Sequence, residues 1–326
     1  MGINTANKKK GKSNSKTTDM FTPPHKPQIM KVGKDIVSYT KRPLVVMYYC
    51  DINGSIFKPD ISALFSKLTS EINGKVEEMD VLLHTKGGHP NTAYLLVQTL
   101  RKFTHKLNFL IPEHAYSGGT LMTLGADNII MGPYASLGPI DLQLGRSLAV
   151  IDIDQYVQFV KHAKETITGC DPNCPKHESP IADSLLSELT REIPPTKIGA
   201  LFRLRRLSEY YARVLLSDYM FKYLDYRKNE VDRIVKRLNS EYPSHGFDID
   251  FHIANGLGLK VERMELQLFF MTDIFIKLCD LGKMRGEICS FLPRDKCEDK
   301  EQDFRLPFFE VFNIKKEGEK NEKRKK

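Results

Sequence analysis

The chain has no tryptophan and only six cysteines among its 326 residues. Cysteines this sparse, behind an opening MGINTANKKKGKSNSK without an apolar centre, predict reduced thiols and a cytoplasmic setting. No apolar run reaches the roughly 18–20 residues that a membrane span needs. The richest stretch, Leu266–Leu278, is interrupted by Asp273 and Lys277 and reads as core. The opening MG is followed by Ala6, so the myristoylation pattern is unmet. Also missing are GxGxxG and GxxxxGK[ST], the loops that hold dinucleotides and nucleotide phosphates. Cys170, Cys174 and His177, with His162 upstream, lack the tight paired spacing of a zinc site and read as a Pro-rich loop. No metal or cofactor is expected.

What is present in excess is positive charge, a formal +8. It belongs to the ends. Residues 1–42 hold ten Lys/Arg against two Asp/Glu, and 315–326 hold seven against three. The stretch between carries 32 basic and 36 acidic side chains. The core is therefore not expected to bind nucleic acid, and the tails read as disordered, solvated ends open to peripheral contact with anionic membrane.

From Pro43 onward short apolar runs alternate with amphipathic stretches. Pro43–Tyr49, Asp80–Thr85, Leu107–Ile111 and Asn128–Met131 read as strands. Ile61, Leu64, Phe65 and Leu68 fall at helical spacing, as do Ala93, Leu96, Val97, Leu100 and Phe103. TLMTLGA, after the second glycine turn, reads as a short helix. Such alternation predicts an α/β fold with a mostly parallel sheet covered by helices. Beyond Gly145 the pattern turns helical, with helices over 154–168 and 197–224 and another capped by Asn229. Residues 262–314 carry no clear period.

Two Gly-rich turns follow predicted strands: His84-Thr85-Lys86-Gly87-Gly88-His89-Pro90 and Ala115-Tyr116-Ser117-Gly118-Gly119-Thr120. Turns at the carboxyl ends of neighbouring parallel strands share one crevice. Their backbone amides are the raw material of an oxyanion hole, and Ser117 at a helix N-terminus would present its hydroxyl there. Spacing alone leaves two other readings open, a phosphate cradle and plain tight turns with a capping serine. His84 and His89, flanking the first turn, fit structural or substrate-groove roles.

Four blocks in order, T-x-G-G, A-x-S-[AG]-G-T, A-D-x-I-x-M-G-P and L-G-P-I-D-x-Q, lie within Leu82–Leu144. This stretch resembles the Clp-fold serine peptidases of the Clp/crotonase superfamily, in particular the serine dehydrogenase proteinases, which are related to signal peptide peptidase A. The resemblance implies a Clp/crotonase-like catalytic domain over 43–260, with 261–314 as a C-terminal appendage. It implies a serine peptidase with Ser117 as nucleophile and the amides of Gly88 and Gly118 as oxyanion donors. Asp141 falls where the family's substrate groove and oligomer contacts lie.

The base does not carry over from the Clp proteolytic subunit, because no histidine stands between His114 and His162. By similarity to signal peptide peptidase A, Lys197 at the start of a long helix is the leading base. His245, in a segment similar to another family block, is the alternative, with Lys161 and Lys164 behind them. The resemblance also implies a peptide or protein substrate, a homo-oligomer, and room for a regulator. Two rivals stand beside this reading: a catalytically silent scaffold that keeps the fold without a base, and a crotonase-type acyl-CoA enzyme.

Overall fold

A computed structural model describes residues 25–49, 59–141, 195–223, 227–282 and 287–293, with short pieces between 143 and 191. The basic segments 1–24 and 294–326, and the residues Lys161, Lys164, Cys170, Cys174 and His177, lie outside the described residues.

Four strands form where the apolar runs predict them. They are β1 (Leu44–Tyr49), β2 (Val76–Thr85), β3 (Thr104–Ile111) and β5 (Asn128–Met131), and together with β7 (Val261–Arg263) they lie side by side and parallel. Alternate side chains reach opposite faces. Val45, Met47, Val81, Leu83, Phe109 and Ile111 enter one core, and Leu44, Val46, Tyr48, Leu82 and Leu110 enter a second. The first core is covered by α2 (Pro59–Glu71), α3 (Pro90–Leu100), α4 (Gly118–Thr123), α5 (Pro195–Leu215) and α6 (Arg227–Lys236). The sheet is buried on both faces, which is why its strands read as unbroken apolar runs. The α/β class with flanking helices and a helical C-terminal portion is as expected.

The edges differ from expectation. Lys26–Thr40, placed by the sequence reading inside a disordered tail, is helix α1. Pro27 sits in its first turn, and Ile29, Gly33, Ile36 and Val37 recur along one buried face among the lysines. A net-charge reading hides that stripe. Likewise Leu266–Leu281 forms α8, and Glu287–Phe291 forms β8, antiparallel to β1. Helices α1 and α8 supply the second core, so residues on both sides of 43–260 complete the sheet. Asn229, expected as a cap, lies inside α6, which runs from Arg227. The stretch expected helical over 197–224 continues from α5 as a π turn, Leu216–Met220. Of the helix expected over 154–168 only fragments are described.

A smaller unit sits at the carboxyl end of β2. There Thr85 pairs with Ala115 of β4 (His114–Ala115), which pairs in parallel with β6 (Ser136–Leu137). Leu137 in turn bridges Ile249 in antiparallel sense. Just past Ile249, Asp250 caps α7 (Phe251–Leu257), its carboxylate accepting the Ile253 amide at 2.8 Å.

Candidate active site

Ser117 follows β4 and stands at the N-terminal end of α4, 9 % exposed. Its backbone lies at φ 50°, ψ −112°, in the left-handed half of conformational space where a Cβ is unwelcome. Such a geometry costs about 1–3 kcal/mol and persists only where the surroundings dictate it. They do so here. The Tyr116 amide donates to the Thr85 carbonyl at 3.0 Å, and the Gly119 amide to the Tyr116 carbonyl at 2.8 Å. The Gly87 amide donates to Thr85 Oγ1 at 3.0 Å. Nor is the Ser117 hydroxyl spent on capping its own helix.

The two glycine turns touch. A Cβ on Gly118 would stand 2.6 Å from the Gly88 carbonyl oxygen and 2.8 Å from its nitrogen. One on Gly87, at φ +108°, would meet the Tyr116 carbonyl oxygen at 2.8 Å. Only glycine permits this approach, and it brings the Gly88 and Gly118 backbones together beside Ser117.

The small sheet then gathers side chains at one end. Ser117 lies two residues past Ala115, and Asp141 lies four past Leu137, in strands that pair in the same direction. His245 lies four residues before Ile249, whose segment runs the opposite way. All three therefore lead off the same end. His245 Nδ1 sits 2.8 Å from Asp141 Oδ1, and the Asp141 side chain is 1 % exposed. Against a carboxylate the imidazole carries its proton on Nδ1, which leaves Nε2 as acceptor. Tyr116 ties the same elements together: its hydroxyl donates to Asp248 at 2.8 Å and lies 3.0 Å from Ser136 Oγ. Ser208 of α5 donates to the Ile140 carbonyl at 2.8 Å, fixing the residue before Asp141.

Lys197 is exposed in the first turn of α5. It stands eleven residues before Ser208, about 16 Å along the helix axis. His89 is the N-cap of α3, its Nδ1 accepting the Asn91 amide at 3.3 Å. A cleft of about 620 Å³ lined by Asp232, Lys236, Arg237 and Gly256 includes none of Ser117, Asp141 and His245. Its charges are already matched within itself, as in Lys236–Glu241 at 2.9 Å.

The sequence named Asp141 and His245 separately but offered no sign of their pairing, which depends on a bridge between distant segments. It also passed over a neighbouring cluster. His84, Glu113 and His114 bring ligand-type atoms within 4.8 Å of one another, at the ends of β2 and β3. Burial, then the neighbouring His114, holds His84 down at about 3. Burial also lowers His114, and raises Glu113 with help from Asp280 and Asp273. Both imidazoles are thus neutral, and the 3.4 Å approach of His84 Nδ1 to Glu113 is not an ion pair. The one spacing that would have pointed to this cluster is a histidine just ahead of each glycine turn.

A strained serine, paired glycine turns and a contact between His245 and the buried Asp141 thus lie on the same group of strand ends. Residues 70–167 match the family of ClpP-like SDH-type serine proteinases. The resemblance read from the four sequence blocks is thereby borne out. Two curated relatives of the chain come from Methanocaldococcus jannaschii, both uncharacterized. The protein MJ0137 is 40% identical over 72 residues, 22% of this chain and 25% of its own length. MJ1495 is 36% identical over 78 residues, 24% and 27% respectively. The chain spans about a quarter of the length of these relatives.

Among solved structures, a ClpP1 mutant from Listeria monocytogenes is 10% identical, with 74% of this chain and 98% of that one covered at a TM-score of 0.37. A mutant of the 1510-N membrane-bound stomatin-specific protease, in complex with a substrate peptide, is 16% identical, with 68% and 94% covered at 0.26. At such scores the fold rests on this chain's own sheet topology. Among the described residues no helix is long and apolar enough to cross a membrane.

Proposed function

We propose that the chain is a serine peptidase in which Ser117, His245 and Asp141 act as nucleophile, general base and orienting carboxylate. The observation that carries the reading is the 2.8 Å contact between His245 and the buried Asp141, at the same end of the small sheet as a strained Ser117. A serine hydroxyl is a poor nucleophile until a base takes its proton. His245 Nε2 is the acceptor left once Nδ1 is held by Asp141, the place of a general base. Ser117 Oγ attacks the scissile carbonyl, its proton passes to His245, and the carbonyl oxygen becomes an oxyanion. The amides of Gly88 and Gly118 receive that charge. His245 then returns the proton to the leaving amine, and water releases the acyl group from Ser117.

This reading moves the base from Lys197 to His245 and gives Asp141 an orienting role in place of a groove contact. The silent-scaffold alternative is weakened by the same pair, since a chain without a base has no use for a histidine held on a buried carboxylate. The substrate is a peptide or protein, and a homo-oligomer and a regulator belong to the proposal by family likeness.

The test is covalent labelling with a fluorophosphonate, read by intact mass. One adduct is expected on the wild-type chain and none on Ser117→Ala. His245→Ala should slow labelling at least a hundredfold, while Lys197→Ala leaves it unchanged. Wild-type labelling rates in His245→Ala combined with loss in Lys197→Ala would return the base to the lysine. A folded wild-type chain that takes no adduct would sink the peptidase reading.

A further inference from the structure

A second cluster lies directly beneath the proposed catalytic turns. His84 is the residue before Thr85, at the end of β2, and its side chain is 1 % exposed. Glu113 and His114 stand where β3 hands over to β4, three to four residues before Ser117. The three present two imidazole nitrogens and one carboxylate oxygen within 4.8 Å of one another. Among the described residues neither ring nitrogen of His84, nor Nε2 of His114, has a hydrogen-bond partner. A buried imidazole with both nitrogens unanswered is uncommon, because each polar atom has given up water for nothing.

We infer that His84, Glu113 and His114 form a binding site for a divalent transition metal, best matched by zinc. The donor set is two imidazoles and one carboxylate, which suits a borderline cation and leaves a fourth position open. His84 Nδ1 and Glu113 Oε2 are 3.4 Å apart, the edge of a tetrahedron whose metal–ligand bonds are about 2.1 Å. The rings are held by stacking: Tyr48 covers His84 at 5.3 Å and 12°, and Tyr116 covers His114 at 4.8 Å and 13°. Asp280 and Asp273 of α8 add carboxylates on the Glu113 side of the cluster. Lys86 opposes a cation here, but it is exposed.

The site's role follows from its place. It joins the last turn of β2 to the start of β4, the two strands whose ends carry Gly87-Gly88 and Ser117-Gly118. A metal there ties the two turns together from below, on the face of β2 opposite Leu83 and Thr85. That is a structural brace and stands whether or not Ser117 is a peptidase nucleophile.

The test uses the full chain, stripped with a chelator and titrated calorimetrically with Zn²⁺ alone. One zinc per chain is expected, with a rise in melting temperature, and Ser117→Ala should bind identically. Glu113→Gln, at the half-buried rim of the site, keeps shape and should weaken binding at least tenfold; His114→Ala should abolish it. X-ray absorption on the loaded chain should show two imidazoles in the first coordination sphere. Circular dichroism checks that each variant is folded, and Glu113→Gln decides if His114→Ala is not. No uptake by the folded wild-type chain would overturn the inference. So would equal affinity in Glu113→Gln, or zinc that is lost with Cys170→Ser and therefore sits in the cysteine loop.

Discussion

The strain at Ser117 can be weighed directly, by removing its Cβ. At φ 50° a side chain costs about 1–3 kcal/mol, and glycine pays no such cost. Glycine does lose more chain entropy on folding, roughly 0.4–1 kcal/mol relative to alanine. The Ser117 hydroxyl caps nothing in its own helix, so trading serine for alanine removes no such bond and keeps the Cβ. Ser117→Gly should therefore be more stable than Ser117→Ala by about 1 kcal/mol, the strain relieved less the entropy lost. In a chain of this size that is about 1–2 °C in melting temperature. Both variants should be dead to the fluorophosphonate. Parallel chemical denaturation of the two, with the slope unchanged, is the measurement. Equal stability, or a less stable glycine variant, would falsify the claim that the fold forces the nucleophile into an unfavourable conformation.

Two other outcomes follow from the same geometry. Gly118→Ala places a Cβ 2.6 Å from the Gly88 carbonyl oxygen, against backbone that has no flexible end to move aside. The turns must part, costing about 1–3 kcal/mol of stability, and labelling should fall about a hundredfold; a rate equal to wild type would remove the paired amides from the mechanism. Asp80, fully buried between Arg42 and Asn108, has its carboxyl raised chiefly by burial, against the hydrogen bonds from Asn108 and Arg42. A raised pKa means the folded chain holds that proton more tightly than the unfolded one. Its contribution is full below about pH 4, the unfolded value, and is lost as pH rises through the folded value. Asp80→Asn should therefore shrink the fall in stability between weakly acid and neutral pH, and an unshrunken fall in urea titrations at both pH values would refute this.

How much was legible in the sequence varies with the range of the interaction. Strands such as Asn128–Met131 and turns such as Gly87-Gly88 announce themselves locally, by apolar runs and by residue types that only certain backbones tolerate. Helix α1 was hidden because it lies within a stretch, 1–42, that holds ten Lys/Arg against two Asp/Glu, although Ile29, Ile36 and Val37 share one face. Helix α8 was hidden for another reason. Thr272 and Asp273 are buried beside Phe275 and Ile276, so its polar and apolar positions follow no simple period. Ser117 stood out by its motif, whereas the Asp141–His245 contact depends on Leu137 meeting Ile249, a pairing that no local pattern encodes. Lys197 was attractive through likeness alone, and its exposed first-turn position was invisible in one dimension.

That bridge between Leu137 and Ile249 also sets an order of events. Strands β2, β3 and β5, with the helices between them, lie within one continuous stretch, Val76–Met131, and their pairings close short loops. Such contacts form early, and distant ones late. The serine and both glycine turns therefore exist in a chain still being synthesised, while the histidine arrives only once the segment around Ile249 has docked on Leu137. A nascent or truncated chain ending before His245 would carry the strained serine without its proposed base. The fold thus withholds the proposed activity until the segment carrying His245 has been made and has docked.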